Sequence, residues 1–568
     1  MDQAMVNVNW CMSLLSGLAS AGVTRVVISP GSRSTPLVIA ADLHPALNCH
    51  VLVDERSAAF FALGMAKSLG LPVALVCTSG SAPANWYPAI IEASQSFVPL
   101  VLITADRPWE LQSCGANQTI DQLKLFGDQV NSFHALPPAE ASPTSQSRLH
   151  SLGRQLVTES LWPSAGPVHV NMPFREPLVP AQPGIDAVVP EVSIPQLPTV
   201  LLADQLLEFL GAAISGKRGL ILCGPGIQDK GFAAEVARLA TKLECPILAD
   251  PLANLRCGRH DKTFVVSRYS LFLGDHNALD GPDWIIRFGA MPVSRALQNY
   301  LAKCDSQQFV VEHRGRWPDP LNQADQVLHA SPVALCEQLC DLDLQPAHSS
   351  WFDLWLGHEI YCDRWLNSAG TGRPAEALLI QQLLSILPNY SLLFSGNSTA
   401  IRYLDCYAGR ADKNLEITGN RGASGIDGNV SSFLGLAAAF TGKGKAVAFM
   451  GDLAFFHDMN GLAAAKGLNA VIIVNNNNGG GIFAQLAQKD LPGYGRYWRT
   501  PLDLDYADAA RLHGLPYHKL EDVRRFDVVL KQALAEDGVS VVEVITEADR
   551  STRLHQQLLA TVSNRGSD

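Results

Sequence analysis

The sequence contains no apolar run that approaches the roughly 20 residues needed to cross a bilayer. Its first residues, MDQAMVNVNWCMSLLSG, also lack the basic stretch leading into an apolar core that a signal peptide requires. Hydrophobic residues make up 47% of the chain and charged residues 17%, a composition typical of a soluble globular protein. We therefore expect a cytoplasmic protein that does not insert into a membrane.

Paired cysteines and excess positive charge are missing as well. The 12 cysteines are scattered through apolar segments, and Cys336 and Cys340 merely have helical spacing, so we predict neither a disulfide framework nor a zinc site. The formal net charge of −11 argues against nucleic acid as a partner, because binding it depends on neutralising phosphates. A few arginines in one cleft can still bind anionic small molecules.

Three regions of the chain alternate short apolar runs with glycine- or serine-rich turns and helix-like stretches. This alternation predicts parallel sheets covered by helices, so the expected fold class is α/β with three doubly wound domains. At 568 residues the chain is also too long for one hydrophobic core. We predict a first domain at 1–180, a proline-rich linker at 181–200, a central Rossmann-like domain at 201–345, a connecting segment at 346–373 and a third domain at 374–568.

The strongest chemical signal is GDLAFFHDMNGLAAAKGLNAVIIVNNNNGG in the third region. Gly451 and Asp452 follow the predicted strand KAVAFM, and four asparagines follow the next strand. Since the carboxyl ends of parallel strands open onto one crevice, both segments are expected to face the same cleft. A carboxylate, an amide oxygen and a main-chain carbonyl suit Mg²⁺ on a diphosphate. The pattern resembles the GD and NN signature of thiamine-diphosphate enzymes, although Leu453 departs from its usual third glycine and the four asparagines leave the register open.

A second signal is VDERSAAFFALGMAKSLG, in which Glu55 leaves a strand end directly before a helix of small residues. A carboxylic acid in an apolar site there could donate a hydrogen bond to a pyrimidine nitrogen of the cofactor. The pyrimidine would then take its imino form and could remove the thiazolium proton. The alternative is a glutamate that merely favours the helix N-terminus. Beside the diphosphate signature, we predict that Glu55 is the proton switch.

A longer set of motifs resembles one enzyme family. The motifs are ISPGSRSTPL, VDERSAAFFALGMAKSLG, VCTSGSAPANWYPAIIEA, LITADRPWEL, GANQTIDQLKLFG, RFGAMPVS, GNSTAIR and NRGASGIDG. In this order they resemble the 2-succinyl-5-enolpyruvyl-6-hydroxy-3-cyclohexene-1-carboxylate (SEPHCHC) synthases, least closely in the central region. That family has NNNGG followed one residue later by IF, which matches Asn476 to Phe483. The resemblance thus selects Asn477 and the carbonyl of Gly479 as metal ligands beside Asp452.

The resemblance implies a thiamine-diphosphate enzyme of pyruvate-decarboxylase-like architecture, with a pyrimidine-binding first domain and a diphosphate- and metal-binding third domain. It implies a transferase that decarboxylates 2-oxoglutarate and adds the succinyl carbanion equivalent to isochorismate, in menaquinone or phylloquinone biosynthesis. The implied cofactors are thiamine diphosphate and Mg²⁺, or Mn²⁺ in its place. It also implies a homodimer or homotetramer with active sites between subunits.

Both implied substrates are dianions, so the site needs cationic anchors, and arginine can pair carboxylates bidentately. By similarity, the catalytic residues are Glu55, Arg33, Gln118 and Arg402. The implied substrate-binding residues are Ser32, Arg33, Arg107, Gln118, Arg295, Ser398, Arg402, Arg421 and Phe483, where Arg295 replaces a lysine common in the family. The implied cofactor-binding residues are Glu55, Gly425, Ile426, Gly451, Asp452, Asn477, Gly479, Ile482, Phe483 and Leu486.

Two other functions stay open on the sequence alone. Another carboligase or decarboxylase of the superfamily, such as an acetolactate-synthase-like enzyme, would share the cofactor motifs but act on smaller, less charged substrates. A non-catalytic nucleotide-binding or regulatory protein is suggested only by LCGPGIQ, which lacks a complete GxGxxG.

Overall fold

The computed structural model describes residues 2–181, 191–227, 229–274, 279–368 and 372–563. In these ranges the chain forms three six-stranded sheets, and every strand pair in them is parallel. None of the described helices has the length and apolar character that crossing a membrane requires. The chain divides into a first unit of 1–197, 420–441 and 454–468, and a second unit of 198–419, 442–453 and 469–568.

The first sheet belongs to the first unit and has the strand order β2-β1-β3-β4-β6-β5. Its strands are β1 (Arg25–Ile28), β2 (Asn48–Val51), β3 (Val73–Cys77), β4 (Leu100–Asp106), β5 (Phe133–Ala135) and β6 (Pro167–Pro173). The helices are α1 (Gln3–Ser20), α2 (Thr35–Leu43), α3 (Glu55–Leu69), α4 (Tyr87–Ser96) and α5 (Pro143–Leu161). Strands β3, β4 and β6 are buried along their whole length, which explains their nearly continuous apolar sequences.

The second sheet lies in the second unit and has the order β12-β11-β10-β7-β8-β9. Its strands are β7 (Gly219–Cys223), β8 (Ile247–Ala249), β9 (Val265–Val266), β10 (Trp284–Phe288), β11 (Gln307–Val311) and β12 (Gln326–Leu328). Its helices are α6 (Asp204–Ile214), α7 (Phe232–Leu243), α8 (Tyr269–Phe272), α9 (Arg295–Leu301) and α10 (Pro332–Asp341).

The two predicted connections differ from each other in structure. In the predicted linker, residues 182–190 lie outside the described residues, and residues 191–203 form neither helix nor strand. The connecting segment at 346–373 contains a helix that the sequence analysis did not predict, α11 (Ser350–Ser368). Its buried residues Trp351, Trp355, Cys362 and Leu366 keep helical spacing, so the signal was present in the sequence.

The third sheet has the order β14-β13-β15-β16-β18-β17, the same permutation as the first sheet. Its strands are β13 (Ser391–Ser395), β14 (Leu415–Gly419), β15 (Ala446–Gly451), β16 (Ala470–Asn476), β17 (Tyr517–Leu520) and β18 (Val539–Ile545). The helices in this part of the chain are α12 (Ala375–Ile386), α13 (Thr399–Tyr407), α14 (Asn429–Ala439), α15 (Asp452–His457), α16 (Ala507–Leu512), α17 (Phe526–Ala535) and α18 (Ala548–Ser563), of which α14 belongs to the first unit. The predicted fold class of three parallel α/β sheets is confirmed, whereas the predicted domain boundaries stay a prediction.

Within the first unit, α3 and α14 cross with their main chains in contact. A Cβ atom on Gly64 of α3 would lie 1.9 Å from the carbonyl oxygen of Ser432. A Cβ atom on Gly435 of α14 would lie 1.9 Å from the carbonyl oxygen of Phe61. The two glycines therefore permit an approach that no larger residue allows, and this approach fixes the helix that begins at Glu55.

Candidate active site

The first crevice lies at the carboxyl ends of β1 and β3, where the strand order of the first sheet reverses. The segment after β1 passes so close to β3 that a Cβ atom on Gly31 would lie 2.2 Å from Cβ of Thr78. The main-chain N–H of Arg33 donates to Oγ1 of Thr78 at 3.3 Å. Glycine at position 31 thus places Arg33 at the reversal point, and Ser32 lies exposed beside it.

Arg33 is buried and lies close to Arg107. Its guanidinium donates to the carbonyl oxygen of Phe174 at 2.8 Å and to Oε1 of Glu176 at 3.0 Å. Burial and the positive charge of Arg107 lower the pKa of Arg33 from its ordinary value. The side chain of Glu176 is 73% exposed, so a carboxylate of a bound molecule could take its place on the guanidinium.

Gln118 completes this cluster. Its Nε2 donates to the carbonyl oxygen of Ser79 at 3.0 Å, and Oγ of Ser79 donates to the carbonyl oxygen of Gln118 at 3.1 Å. Nε of Arg107 donates to the carbonyl oxygen of Asn117 at 3.2 Å. The structure therefore brings together Arg33, Arg107 and Gln118, which the sequence analysis assigned to substrate binding.

A buried polar network, which was not predicted from the sequence, supports the cluster. The N–H of Gly80 donates to Gln122, which donates to Asn171 at 2.9 Å, and Asn171 donates to Asp106 at 2.8 Å. Asp106 also accepts from the N–H of Arg107 at 2.7 Å, and burial raises its pKa in spite of these bonds. Polar residues inside the apolar strand sequences LVLITAD and PVHVNMP were the available signal.

Glu55 is the first residue of α3, which follows β2. The helix is capped by Asp54, whose Oδ1 accepts from the N–H groups of Arg56 and Ser57 at 2.9 and 3.2 Å. Burial and, to a smaller extent, the charge of Glu55 raise the pKa of the Cys77 thiol at the end of β3. Asp54 supplies the cap, and Glu55 is the acidic residue of the first turn of α3. The position of Glu55 therefore suits both a proton switch and a glutamate that favours the helix N-terminus.

The second crevice lies between β13 and β15 in the second unit, at the same reversal of strand order. Asp452 follows β15 there and is only 3% exposed. Its Oδ2 accepts from the N–H of Gly479 at 2.6 Å, and Tyr506 donates to its carbonyl oxygen at 3.3 Å. Burial raises the pKa of Asp452 to about 6. Gly479 has φ +123°, and a Cβ atom there would lie 2.1 Å from the carbonyl oxygen of Arg499.

The four asparagines after β16 have different partners. Three of them bond to neighbours in the same unit: Asn475 with Thr546, Asn476 with Glu543 and Asn478 with Asp503. Asn477 is buried, and Nη1 of Arg499 donates to its Oδ1 at 3.5 Å. Nη2 of Arg499 also donates to the carbonyl oxygen of Asn477.

The donor set around Asp452 and Asn477 fits a hard divalent cation. A carboxylate, an amide oxygen and main-chain carbonyls are the oxygens that Mg²⁺ binds. The guanidinium of Arg499 already contacts the oxygens of Asn477, and its charge lowers the pKa of Asp452 against the larger effect of burial. A positive charge is therefore compatible with this position.

The other predicted residues of the second unit lie on nearby turns and helix starts. Ser398 has φ +63° before α13, and its carbonyl oxygen accepts from Nη1 of Arg402 at 2.6 Å. Arg295 is the exposed first residue of α9. Ile482 and Phe483 are half-buried in the 3-10 helix Gly481–Gln485, and the exposed Leu486 follows it.

Arg421, Gly425 and Ile426 belong to the first unit. They lie half-buried in the segment between β14 and α14. The structure thus brings Arg33, Arg107 and Gln118 together in the first unit, and Asp452, Asn477 and Gly479 together in the second.

The chain is similar to known thiamine-dependent enzymes along nearly its whole length. Residues 12–125 match the N-terminal TPP-binding domain of thiamine pyrophosphate enzymes, residues 209–395 match the middle domain, and residues 406–544 match the C-terminal TPP-binding domain. The SEPHCHC synthase of Dechloromonas aromatica is 44% identical, over 96% of this chain and 99% of the relative. The enzyme of the same name from Geobacillus thermodenitrificans is 41% identical over 97% and 95%, and that from Haloarcula marismortui is 38% identical over 98% of each chain.

Proposed function

The chain belongs to the SEPHCHC synthase family of thiamine-diphosphate enzymes, and on this premise we propose that it decarboxylates 2-oxoglutarate and transfers the succinyl carbanion equivalent to isochorismate. The products are SEPHCHC and CO₂. The observation that carries the proposal is 44% identity over 99% of the Dechloromonas synthase, because it separates this reaction from others that share the cofactor. The similarity favours neither an acetolactate-synthase-like activity nor a non-catalytic protein.

Arg33 and Arg107 are suited to bind substrate carboxylates. They lie close together at the reversal point of the first sheet. The hydrogen bond from the main chain of Arg33 to Thr78, and that from Nε of Arg107 to the carbonyl oxygen of Asn117, hold them in place. Guanidinium groups that are ordered before binding lose little conformational entropy when a carboxylate arrives. Ser32 and Gln118 add hydrogen-bonding groups beside them, and Ser398, Arg402 and Arg421 are further proposed substrate contacts.

Asp452, Asn477 and the carbonyl of Gly479 would hold Mg²⁺, or Mn²⁺ in its place, on the diphosphate. When bound, thiamine diphosphate supplies the electron sink for loss of CO₂. Glu55, the first residue of α3, would exchange a proton with a pyrimidine nitrogen at its carboxyl oxygen. We assign pyrimidine binding to residues 1–180 and diphosphate binding to residues 374–568.

The proposal includes a homodimer or homotetramer that works in the cytoplasm. Val51 and Val53 are 64% and 83% exposed just before Glu55, an apolar surface that a second subunit would cover. No disulfide joins any of the 12 cysteines in the part of the chain that the structure describes, which suits a reducing compartment.

The test of this function is a two-substrate assay with mass identification of the product. Purified enzyme with thiamine diphosphate and Mg²⁺ is given 2-oxoglutarate and isochorismate, and a parallel sample is given pyruvate alone. We expect CO₂ release and the mass of SEPHCHC only in the first sample. Product from pyruvate, with none from the dianionic pair, would replace the proposal with the acetolactate-type reaction.

Replacing Glu55 by glutamine tests the proton switch. The amide keeps the shape of the side chain but cannot exchange a proton, so we expect kcat to fall by about 100-fold or more while cofactor affinity changes little. Calorimetry of thiamine diphosphate with Mg²⁺ measures the affinity, and steady-state turnover measures kcat. Unchanged turnover would remove this role from Glu55.

A further inference from the structure

The segment 420–428, between β14 and α14, carries Arg421, Gly425 and Ile426, and its main chain lies directly against α4. A Cβ atom on Gly422 would lie 2.7 Å from the carbonyl oxygen of Glu92 and 2.8 Å from the main-chain nitrogen of Ser96. The segment and α4 both belong to the first unit. Only glycine at position 422 allows this contact.

The Glu92 carboxylate binds three consecutive N–H groups of that segment. Its Oε1 accepts from Gly422 at 2.9 Å, and its Oε2 accepts from Ala423 at 2.7 Å and from Ser424 at 3.4 Å. The side chain of Glu92 is 4% exposed. Hydrogen bonds to an ionised acceptor are stronger than neutral ones, so this carboxylate fixes the main chain directly after Arg421.

Lys67 of α3 joins the arrangement from the other side. Its Nζ lies 3.6 Å from Oε1 of Glu92 and donates to Oδ1 of Asn420 at 2.8 Å. Asn420 in turn donates to Oγ of Ser432 at 2.8 Å. Burial lowers the pKa of Lys67, and the neighbouring Glu92 opposes that effect. Lys67 and Glu92 therefore bind the residues on both sides of Arg421.

A cavity of about 140 Å³ borders the same segment. Phe60 and Ile91 line it together with Asn420, Ala423 and Asp427. The segment therefore packs tightly against α4 at Gly422 but borders open space at Ala423 and Asp427. On the side of that space, the hydrogen bonds to Glu92 add to packing in holding the main chain.

We propose that Glu92, paired with Lys67, is a positioning residue that holds the segment so that Arg421 is ordered before a substrate carboxylate binds. The inference rests on the proposed function, in which Arg421 is one of the cationic anchors. A buried ion pair adds little net stability compared with apolar residues of the same volume, so a positional role explains its presence better than a stabilising one. Ordering an anchor in advance lowers the entropy lost on binding.

The experiment compares Glu92→Gln with Arg421→Gln in the full-length enzyme. The KM of each substrate is measured in Arg421→Gln. The substrate whose KM rises is the one that Arg421 binds. Glu92→Gln is expected to raise the KM of that substrate by about tenfold, an effect of about 1.4 kcal/mol, and to leave the other KM within about twofold. In the Arg421→Gln background, Glu92→Gln is expected to raise that KM no further, because both changes act through one contact.

Glu359→Gln is the matched control. Glu359 is also buried and accepts main-chain N–H groups, those of Ser267 and Arg268, but that segment carries no proposed substrate residue. We expect Glu359→Gln to lower thermal stability without changing either KM. If Glu92→Gln does not fold, Gly422→Ala tests the same idea, since its Cβ would push the segment away from α4 and raise the same KM.

Three results would overturn the inference. They are an unchanged KM in Glu92→Gln, equal changes of both KM values, or additive effects of Glu92→Gln and Arg421→Gln. A wild-type enzyme that makes no SEPHCHC would overturn the proposed function itself, and this inference with it. Wild-type turnover with an unaltered KM in Glu92→Gln would overturn only the inference.

Discussion

We expect that replacing Gly64 with alanine destabilises the first unit, although alanine is the better helix former. In the interior of a helix, alanine is favoured over glycine by about 1 kcal/mol. A Cβ atom at position 64 would lie only 1.9 Å from the carbonyl oxygen of Ser432 in α14. Real Cβ atoms do not approach closer than 3.0 Å, so α3 and α14 have to separate by ~1.1 Å.

The loss of stability in Gly64→Ala is the cost of overpacking at this crossing less the gain in helix propensity. Gly435 touches the carbonyl oxygen of Phe61 equally closely, so sliding one helix along the other does not relieve the overlap. Overpacking of this kind costs about 1–3 kcal/mol, and a main-chain partner on α14 places it at the upper end. Subtracting the gain in helix propensity leaves a loss of about 2 kcal/mol, which lowers Tm by about 4–8 °C for a unit of this size.

Differential scanning calorimetry measures this loss, with Gly357→Ala as the matched control. Gly357 lies in α11, and a Cβ atom there would meet nothing within 4 Å, so alanine is expected to raise stability slightly. We also expect Gly64→Ala to reduce kcat/KM, because α3 begins at Glu55 and a shift of about 1 Å can cost up to 100-fold in rate. A Tm of Gly64→Ala equal to or above that of the wild type would refute the reasoning.

Further predictions concern acid stability, a buried ion pair and the asparagine register. Burial lowers the pKa of His169 from 6.5 to about 3 in the folded protein. The unfolded state therefore binds a proton more readily, and the free energy of unfolding decreases as pH falls below about 6.5. The decrease is about 2 kcal/mol at pH 5. Urea unfolding at pH 7 and pH 5 measures this loss. In His169→Gln, the decrease in the free energy of unfolding between the two pH values is expected to be smaller than in the wild type by about 2 kcal/mol. Arg256→Met leaves the buried carboxylate of Asp405 unpaired and is expected to cost about 3–5 kcal/mol in denaturant unfolding, part of which Asp405→Asn restores. In Mg²⁺ titrations of activity, Asn477→Ala is expected to need at least ~10-fold more metal, whereas Asn478→Ala stays near the wild type.

The sheets, and the turns that place charged residues at the ends of strands, could be predicted because both depend on local sequence. Apolar runs ending in glycine-rich turns gave the strands that precede Arg33, Asp452 and Asn477, and the structure places these residues after β1, β15 and β16. The position of Glu55 directly before a helix was predicted for the same reason. Asp54 caps that helix, in keeping with the preference of aspartate for the N-cap position.

The supporting residues could not be predicted because their partners are distant in sequence. Glu92 bonds to Gly422, 330 residues further along the chain, and no periodic pattern reports such a pairing. Asp106 and Asn171 bond to each other across 65 residues in the same way. Single polar residues inside apolar segments mark such positions, but they do not identify the partner.

The shared strand order of the first and third sheets gives each functional loop a counterpart in the other sheet. In order of the strand that each loop follows, the pairs are Arg33 and Ser398, Glu55 and Arg421, Ser79 and Asp452, and Arg107 and Asn477. Arg33 and Ser79 flank the reversal point of the first sheet just as Ser398 and Asp452 flank that of the third, so the proposed anion-binding residues and the proposed metal ligands occupy corresponding positions on two sheets of one topology.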